Sequence, residues 1–463
     1  MASLRRTTSD GPGMRTMHGR VLWFVVLLLG WAAAAGAAPQ QPEGAPLALT
    51  LDEAIARGLA ESARLAELEG RRDAAAAAEA GRGAARLPLV ALQGGYMRTN
   101  HVEEFSVPQP GAPPRLLYPD VPDNYRARLD FQWPIYTAGR TDALERAARA
   151  ERTAAGEDLA AARADLRVEI ARAFWALVTA REAERVLDRS LASVDAHVLD
   201  LRNRLEQGLI PPNDVLSAEA QQAREQLLAI EAANTRGIAE AALRRLLGID
   251  DFRPIEPRAA LAPEGGPAGA GQTPQALVET ARGARAERRA LAARAAAAEA
   301  RAAAAAAGRR PQVGLGAGYD YARPNPRIFP RAAEWQDSWD VSVNVTWSLW
   351  DGGRTRAERA EAAALAGAMR ARVTEFDRQL AFEISERRLE LESSLAAIPV
   401  AEAGVRAAAE ARRVVGDRFD AGVATSTDVL DAETALMQAE LSRTRALANV
   451  RLAEARLERA RGR

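Results

Sequence analysis

The clearest pattern along the chain is the alternation in residues 339–349. Trp339, Val341, Val343, Val345, Trp347 and Leu349 fall on one side, and Asp340, Ser342, Asn344, Thr346 and Ser348 on the other. Successive side chains of a strand point to opposite faces, so this segment reads as a strand with one apolar and one polar face. Residues 125–133 repeat the pattern, with Tyr125, Ala127, Leu129, Phe131 and Trp133 opposite Arg126, Arg128, Asp130 and Gln132. In residues 313–321 the apolar side is Val313, Leu315, Ala317, Tyr319 and Tyr321, and Gly314, Gly316 and Gly318 occupy the other. A soluble two-layer sheet explains alternation as well as a membrane barrel does. Aromatic residues near the strand ends, and lengths of about 9 to 11 residues, favour a barrel whose lipid face carries Phe131, Trp133, Trp339, Val341, Val343, Val345 and Trp347. With the strand-like residues 88–96 the chain has four strands, which cannot close on themselves, because the smallest spanning barrels have about 8 and an open edge in lipid leaves backbone groups unsatisfied. Several chains must then share one barrel.

Between the strands the period changes. Arg140 to Leu205 contains no proline, and only Gly156 weakens it, so it reads as one helix about 95 Å long at about 1.5 Å per residue. Its later part carries Leu187, Leu191, Val194, Val198, Leu201 and Leu205 at alternating spacings of 4 and 3, a seam that requires a partner helix. After a turn at Gly208, Leu216, Ala220, Ala223, Leu227 and Ile230 offer that partner. A second hairpin is less regular: Val405, Ala408, Val415 and Phe419 go out, Leu430, Met437 and Leu441 return, and Arg412 interrupts the seam.

The chain is written twice. Phe131–Arg140 aligns with Val345–Arg354 at an offset of 214, sharing Trp133 with Trp347, Gly139 with Gly353 and Arg140 with Arg354. Arg204-Leu-Glu-Gln-Gly208 followed by Asp214-Val-Leu216 matches Arg418-Phe-Asp-Ala-Gly422 followed by Asp428-Val-Leu430, again offset by 214. Two matches far apart with no insertion between them mark a rigid rod, since loops tolerate insertions. Pro88–Tyr96 aligns with Pro311–Tyr319 at an offset of 223, and the difference falls in segments 97–124 and 322–338, rich in proline and arginine and read as surface loops. Each half therefore runs helix, strand, loop, strand, long helix, tight turn, long helix. The divisions are a first repeat over 48–247, a linker over 248–272 with Pro254, Pro257, Pro263 and Pro267 and little regular structure, and a second repeat over 273–463.

Composition narrows the classes further. The 62 basic residues are all arginine and are matched by 62 acidic ones, so no net field recruits nucleic acid. The absence of cysteine excludes disulfides, thiolate metal sites, cysteine nucleophiles and a lipidated N-terminal cysteine. Arg15 and Arg20 precede an apolar run from Val21 to Trp31, and Ala35-Gly36-Ala37 offers a cleavage site, so residues 1–37 read as a signal peptide, with Met14 or Met17 as alternative starts. A transmembrane anchor is the competing reading, although the run is short.

Leu49-Thr-Leu-Asp-Glu-Ala-Ile55, Leu87-Pro88 followed by alternating strand, and the twin motifs ending in Gly139-Arg140 and Gly353-Arg354 resemble, in order and spacing, the TolC-like outer membrane factors over about residues 48 to 461. The resemblance implies an α+β membrane protein: a homotrimer with a twelve-stranded outer-membrane β-barrel, four strands per chain, continued by a long periplasmic α-helical coiled-coil barrel. It implies an outer-membrane channel serving an inner-membrane pump through a periplasmic adaptor (a membrane fusion protein), in efflux or type I secretion. Adaptor docking falls to the turns Gly208-Leu209-Ile210 and Gly422-Val423-Ala424, where glycine ends each helix and apolar residues follow. A periplasmic gate falls to Asp428 and Asp431, one turn apart on one helix face. The best-known member has an arginine before this aspartate that latches the closed state; Ala424 stands here, so the latch is expected to be weaker or built from Arg418.

Chemistry for catalysis is lacking, and no enzyme, cofactor or metal site is expected. His18 lies in the signal, and His101 and His197 lie in a loop and on the long helix without ligand spacing, both expected to be solvated. Gly314-Leu-Gly-Ala-Gly318 alternates inside a strand with no helix after it, unlike a phosphate loop. The alternatives to a channel are a periplasmic adaptor, which would carry one hairpin flanked by small β domains, and a soluble coiled-coil scaffold, which leaves the strands unexplained.

Overall fold

The computed structural model describes residues 46–262 and 273–462. The signal peptide and the second half of the linker lie outside the described residues. In chain order the elements are β1 (Leu47–Leu49), α1 (Leu51–Glu61), α2 (Ala63–Ala84), β2 (Leu89–Arg98), β3 (Phe105–Gln109), β4 (Ala112–Tyr118), β5 (Asp123–Tyr136), α3 (Arg140–Glu206) and α4 (Pro212–Leu246). They continue with β6 (Ile255–Pro257), α5 (Pro274–Ala284), α6 (Ala286–Ala306), β7 (Gln312–Arg323), β8 (Gln336–Thr346), α7 (Arg354–Asp420) and α8 (Ser426–Ala460).

The duplication holds at the level of whole elements. α3 and α7 are each 67 residues, α4 and α8 each 35, and both pairs begin and end at the offset of 214; α1 and α5, 11 residues each, keep the offset of 223. At about 1.5 Å per residue the two long helices reach about 100 Å. Their boundaries have a local cause. Gly139 and Gly353 precede them with φ of 80° and 88°, a left-handed conformation that costs a side chain but not glycine. Gly208 and Gly422 close them in matching caps: Leu209 N–H donates to the Arg204 carbonyl at 2.9 Å, and Val423 N–H to that of Arg418 at 2.9 Å.

Four long strands form one antiparallel sheet in the order β2-β5-β7-β8. Register places Gln93, Arg128, Asp320 and Ser338 in one row, and Ala91, Asp130, Gly318 and Asp340 in the next, so the polar sides of the strands coincide. Val90, Phe131, Ala317 and Val341 form a row on the opposite, apolar face. β8 stops at Thr346, short of the expected end: Trp347 lies in the turn toward α7, where its indole N–H donates to the Arg309 carbonyl at 3.1 Å. Trp133 does the same to the Arg86 carbonyl at 3.0 Å.

Helix α3 is the axis of the helical layer and packs against α2, α4, α6 and α8, while α7 packs against α5, α6 and α8. An apolar core midway along α3 gathers Ile170, Phe174 and Leu177 with Ala54 of α1 and Leu243 and Leu247 at the end of α4. Each such large side chain contributes about 1.5–3 kcal/mol on burial.

Three expectations are corrected here. The linker is not structureless before residue 262: β6 pairs in parallel with β1, Ile255 is fully buried, and its N–H donates to Glu240 Oε1 at 2.9 Å. Pro254 and Pro257 suit so short an edge strand, since neither needs to donate. Segment 97–124 contains a hairpin, β3 with β4, turning at Gly111 with φ of 78°. The partner face of α4 is not Leu216, Ala220, Ala223, Leu227 and Ile230, which are exposed; the buried face is Val215, Ala218, Glu225 and Ala232. Periodicity marked the longest apolar stripe, but α3 takes the stripe beside it, where Gln221 Nε2 donates to the buried Glu225 at 3.1 Å. On α3 itself Leu187, Val194, Val198 and Leu201 are buried as the heptad requires.

Candidate functional site

The polar face of the sheet is concave, with a cavity of about 960 Å³ bordered by Arg128, Asp130, Gln132, Asp340, Ser342 and Asn344. Its chemistry is ionic at one level. Arg126 Nε donates to Asp320 at 2.5 Å, and Arg128 pairs with Asp130 at 2.6 Å, with Asp340 at 3.2 Å and with Asp320. Asp320 is buried under these arginines. The glycine alternation in β7 has its reason here. A Cβ on Gly318 would collide with the Arg128 guanidinium, and one on Gly316 would fall 2.9 Å from Ser342 Oγ. Glycine lets an arginine of β5 reach across β7 to an aspartate of β8.

The opposite face is greasy and bare. Trp339, Val341, Val343, Val345, Trp347 and Trp133 are exposed in the chain and Phe131 is half-buried. Among the described residues β2 pairs only with β5 and β8 only with β7, so both sheet edges stand open. No helix among the described residues is long and apolar enough to cross a membrane.

At the far end of the helices, the two hairpin tips are fused by a small core of Val194, Val198, Leu201, Val215, Ala218 and Leu430, with Ile210 and Phe419 packed against it. Leu209 and Val423 project from the turns at 68% and 63% exposure. Ile210 is thus spent on the core and Ala424 is half-buried, so the turns present Leu209 and Val423. Sequence reasoning missed the residue that ties the hairpins together. Arg204 pairs with Asp200 at 2.8 Å, reaches Asp420 across the junction at 3.2 Å and lies 4.6 Å over the Phe419 ring. Arg418, one of the two alternatives for the latch, makes no ion pair among the described residues, which leaves the weaker latch as the other. The (i, i+4) spacing of Asp200 and Arg204 was legible, but not the cross-hairpin reach.

The two acidic residues of α8 differ in occupation. Asp428 closes a capping box: its carboxylate accepts from Thr425 N–H at 2.8 Å and from the Thr425 hydroxyl at 2.7 Å. The backbone bond first, and the hydroxyl second, hold this carboxyl below the usual carboxylate range. Asp431 is exposed one turn on and, among the described residues, makes no hydrogen bond or ion pair. His197 is not solvated as expected. It is half-buried at 5.2 Å from the Phe419 ring and shares a 3.0 Å hydrogen bond with Ser426, and burial pushes its pKa below the ordinary imidazole value. Arg412, the interruption in the second seam, bonds to the buried Glu433 at 2.7 Å and so leaves the core without leaving the interface. His101 stays exposed beside Asp120. No group of three potential metal ligands occurs among the described residues.

A model of the family described as outer membrane efflux protein matches residues 54–249 and 277–463. The chain belongs to the outer membrane efflux protein family. The two matched blocks coincide with the two halves of the duplication, separated by the connector. The fold is similar to solved members of known outer-membrane channels. The outer membrane protein VceC of Vibrio cholerae is 23% identical with a TM-score of 0.74, over 89% of this chain and 96% of that one. The CmeC outer membrane channel of Campylobacter jejuni is 14% identical with a TM-score of 0.75, over 89% and 85%. The open state of the MtrE outer membrane channel of Neisseria gonorrhoeae is 20% identical with a TM-score of 0.71, over 89% and 88%. No curated protein sequence matches significantly.

Proposed function

We propose that three copies of this efflux-family chain close into one outer-membrane channel, with a twelve-stranded barrel continued by twelve periplasmic helices. It passes solutes delivered by an inner-membrane pump through a periplasmic adaptor, in a tripartite efflux or type I secretion system, and performs no catalysis itself. The observation that carries this reading is the sheet: apolar and bare on one face, concave and ionic on the other, and unpaired at both edges. In lipid such edges leave hydrogen-bonding groups unsatisfied, and pairing β8 of one copy with β2 of the next removes all of them. The same ring gives the exposed stripe of Leu216, Leu227 and Ile230 on α4 a neighbour. An adaptor or a scaffold has no use for this sheet.

The tips would form the narrow periplasmic mouth, with Leu209 and Val423 meeting the adaptor and Asp431, with Asp428, lining the gate. Three copies bring six carboxylates together, which attracts cations. Purified channels in planar bilayers are expected to conduct and to prefer cations. Asp428→Asn with Asp431→Asn is expected to raise conductance or reduce that preference, and Asp431→Asn alone to carry most of the change because Asp428 is held in its capping box. Unchanged conductance and ion preference in the double variant would remove the gate; absence of any conductance would remove the channel.

A further inference from the structure

We propose that the junction between sheet and long helices holds a lumen-facing site for multivalent oxyanions, solutes bearing several phosphate or carboxylate groups. The proposal rests on the reading of the polar sheet face as the channel lumen. A cavity of about 460 Å³ lies there, and Arg140, Arg301, Arg310 and Arg354 all border it. They come from separate places: the first residues of α3 and α7, the last turns of α6, and the start of the segment leading into β7. Gln312 and Thr346, which also line the cavity, face each other in register on the same side as Gly314 and Asn344, so the cavity continues the polar face.

The charge there is unbalanced. In a chain where 62 arginines meet 62 carboxylates, this lining has four arginines and one carboxylate, Glu358. Glu358 pairs with Arg354 at 2.7 Å, and Arg301 reaches Glu151 at 3.2 Å. Arg140 and Arg310 make no side-chain hydrogen bond or ion pair among the described residues. Their neighbours do: Arg86 pairs with Asp142 at 2.7 Å, and Arg149 with Glu79 at 2.9 Å. The aspartates of the polar face do not compensate, since Asp340 stands six residues before Thr346, about 20 Å along a strand and beyond a Debye length of about 8–10 Å. Both long helices start at the cavity wall; the Asp351 carboxylate takes the first N–H groups of α7, bonding to Gly353 and Thr355 N–H at 3.0 Å each, while the N-terminal end of α3 adds positive potential. Guanidinium forks match the oxygen pairs of phosphate and carboxylate, and the hydroxyls of Thr346 and Ser348 supply neutral donors.

The test is conductance of the full-length purified channel in planar bilayers, with inorganic pyrophosphate added on the barrel side at constant ionic strength. The parent channel is expected to show a saturable loss of conductance. Arg140→Gln with Arg310→Gln is expected to require about tenfold more pyrophosphate for the same loss, the scale of losing charge-assisted hydrogen bonds. Arg140→Lys with Arg310→Lys, keeping charge without the fork, is expected to fall between. If the double glutamine variant does not assemble, Arg310→Gln alone decides, since it removes an exposed, unpaired side chain. A conducting parent indifferent to pyrophosphate, or equal sensitivity in parent and glutamine variants, would overturn the site and leave the channel standing. A parent that never conducts would overturn both.

Discussion

Val343→Arg is expected to abolish stable insertion, while Asn344→Arg, one residue on, is expected to be tolerated. Val343 sits opposite Leu315 on the apolar face, 64% exposed between Val341 and Val345. An arginine at mid-depth on a lipid face costs about 2–4 kcal/mol per chain, and a ring of three copies carries that cost three times. Asn344 faces the polar side beside Gly314, where its amide donates to Ser342 at 3.2 Å and where glycines leave room for a long side chain. The measurement is the amount of each variant retained in outer membranes after a carbonate wash. Equal retention of the two would contradict the facing of the sheet.

The second large effect is expected at the tips. Leu209→Glu with Val423→Glu should reduce export to the level of a gene deletion and leave the channel assembled in the membrane. Both side chains project from the turns and belong to no internal core, so their replacement changes stability by no more than about 0.5 kcal/mol, the ordinary scale for exposed positions. The proposed function gives them contact with the adaptor, and a buried, unpaired carboxylate at each tip would oppose that contact. Sensitivity to a panel of antibiotics, metal salts and bile salts, with secreted proteins measured alongside, reads the loss and narrows the cargo. Normal export by the variant would remove the docking role from these turns.

Local rules accounted for much of this architecture. The two offsets survive to the residue because helices of fixed length tolerate no insertion, and a period of two revealed the sheet faces because one face must meet apolar surroundings. Choices among neighbours were hidden. Which stripe of α4 meets α3 depends on the buried Glu225 and its Gln221 partner, a pair that hydrophobic periodicity counts against burial. The β6 strand is only three residues and flanked by prolines, so its pairing with β1 has no local signal. Arg128 and Arg204 were visible as charges with near partners in sequence, Asp130 and Asp200, but Asp320, Asp340 and Asp420, which tie them across the fold, lie on other elements. Asp428 was legible in part: Thr425 three residues before it is a capping-box spacing, and that local bond now takes up one of the two proposed gate carboxylates.

A channel requires above all that other copies of the chain close the sheet. Extraction in a mild detergent, followed by measurement of the protein mass of the particle by native mass spectrometry, addresses it directly. The expected result is three chains per particle with strand content intact. A stable single chain that keeps its native strand content would contradict it, because β2 and β8 would then tolerate open edges in a membrane environment.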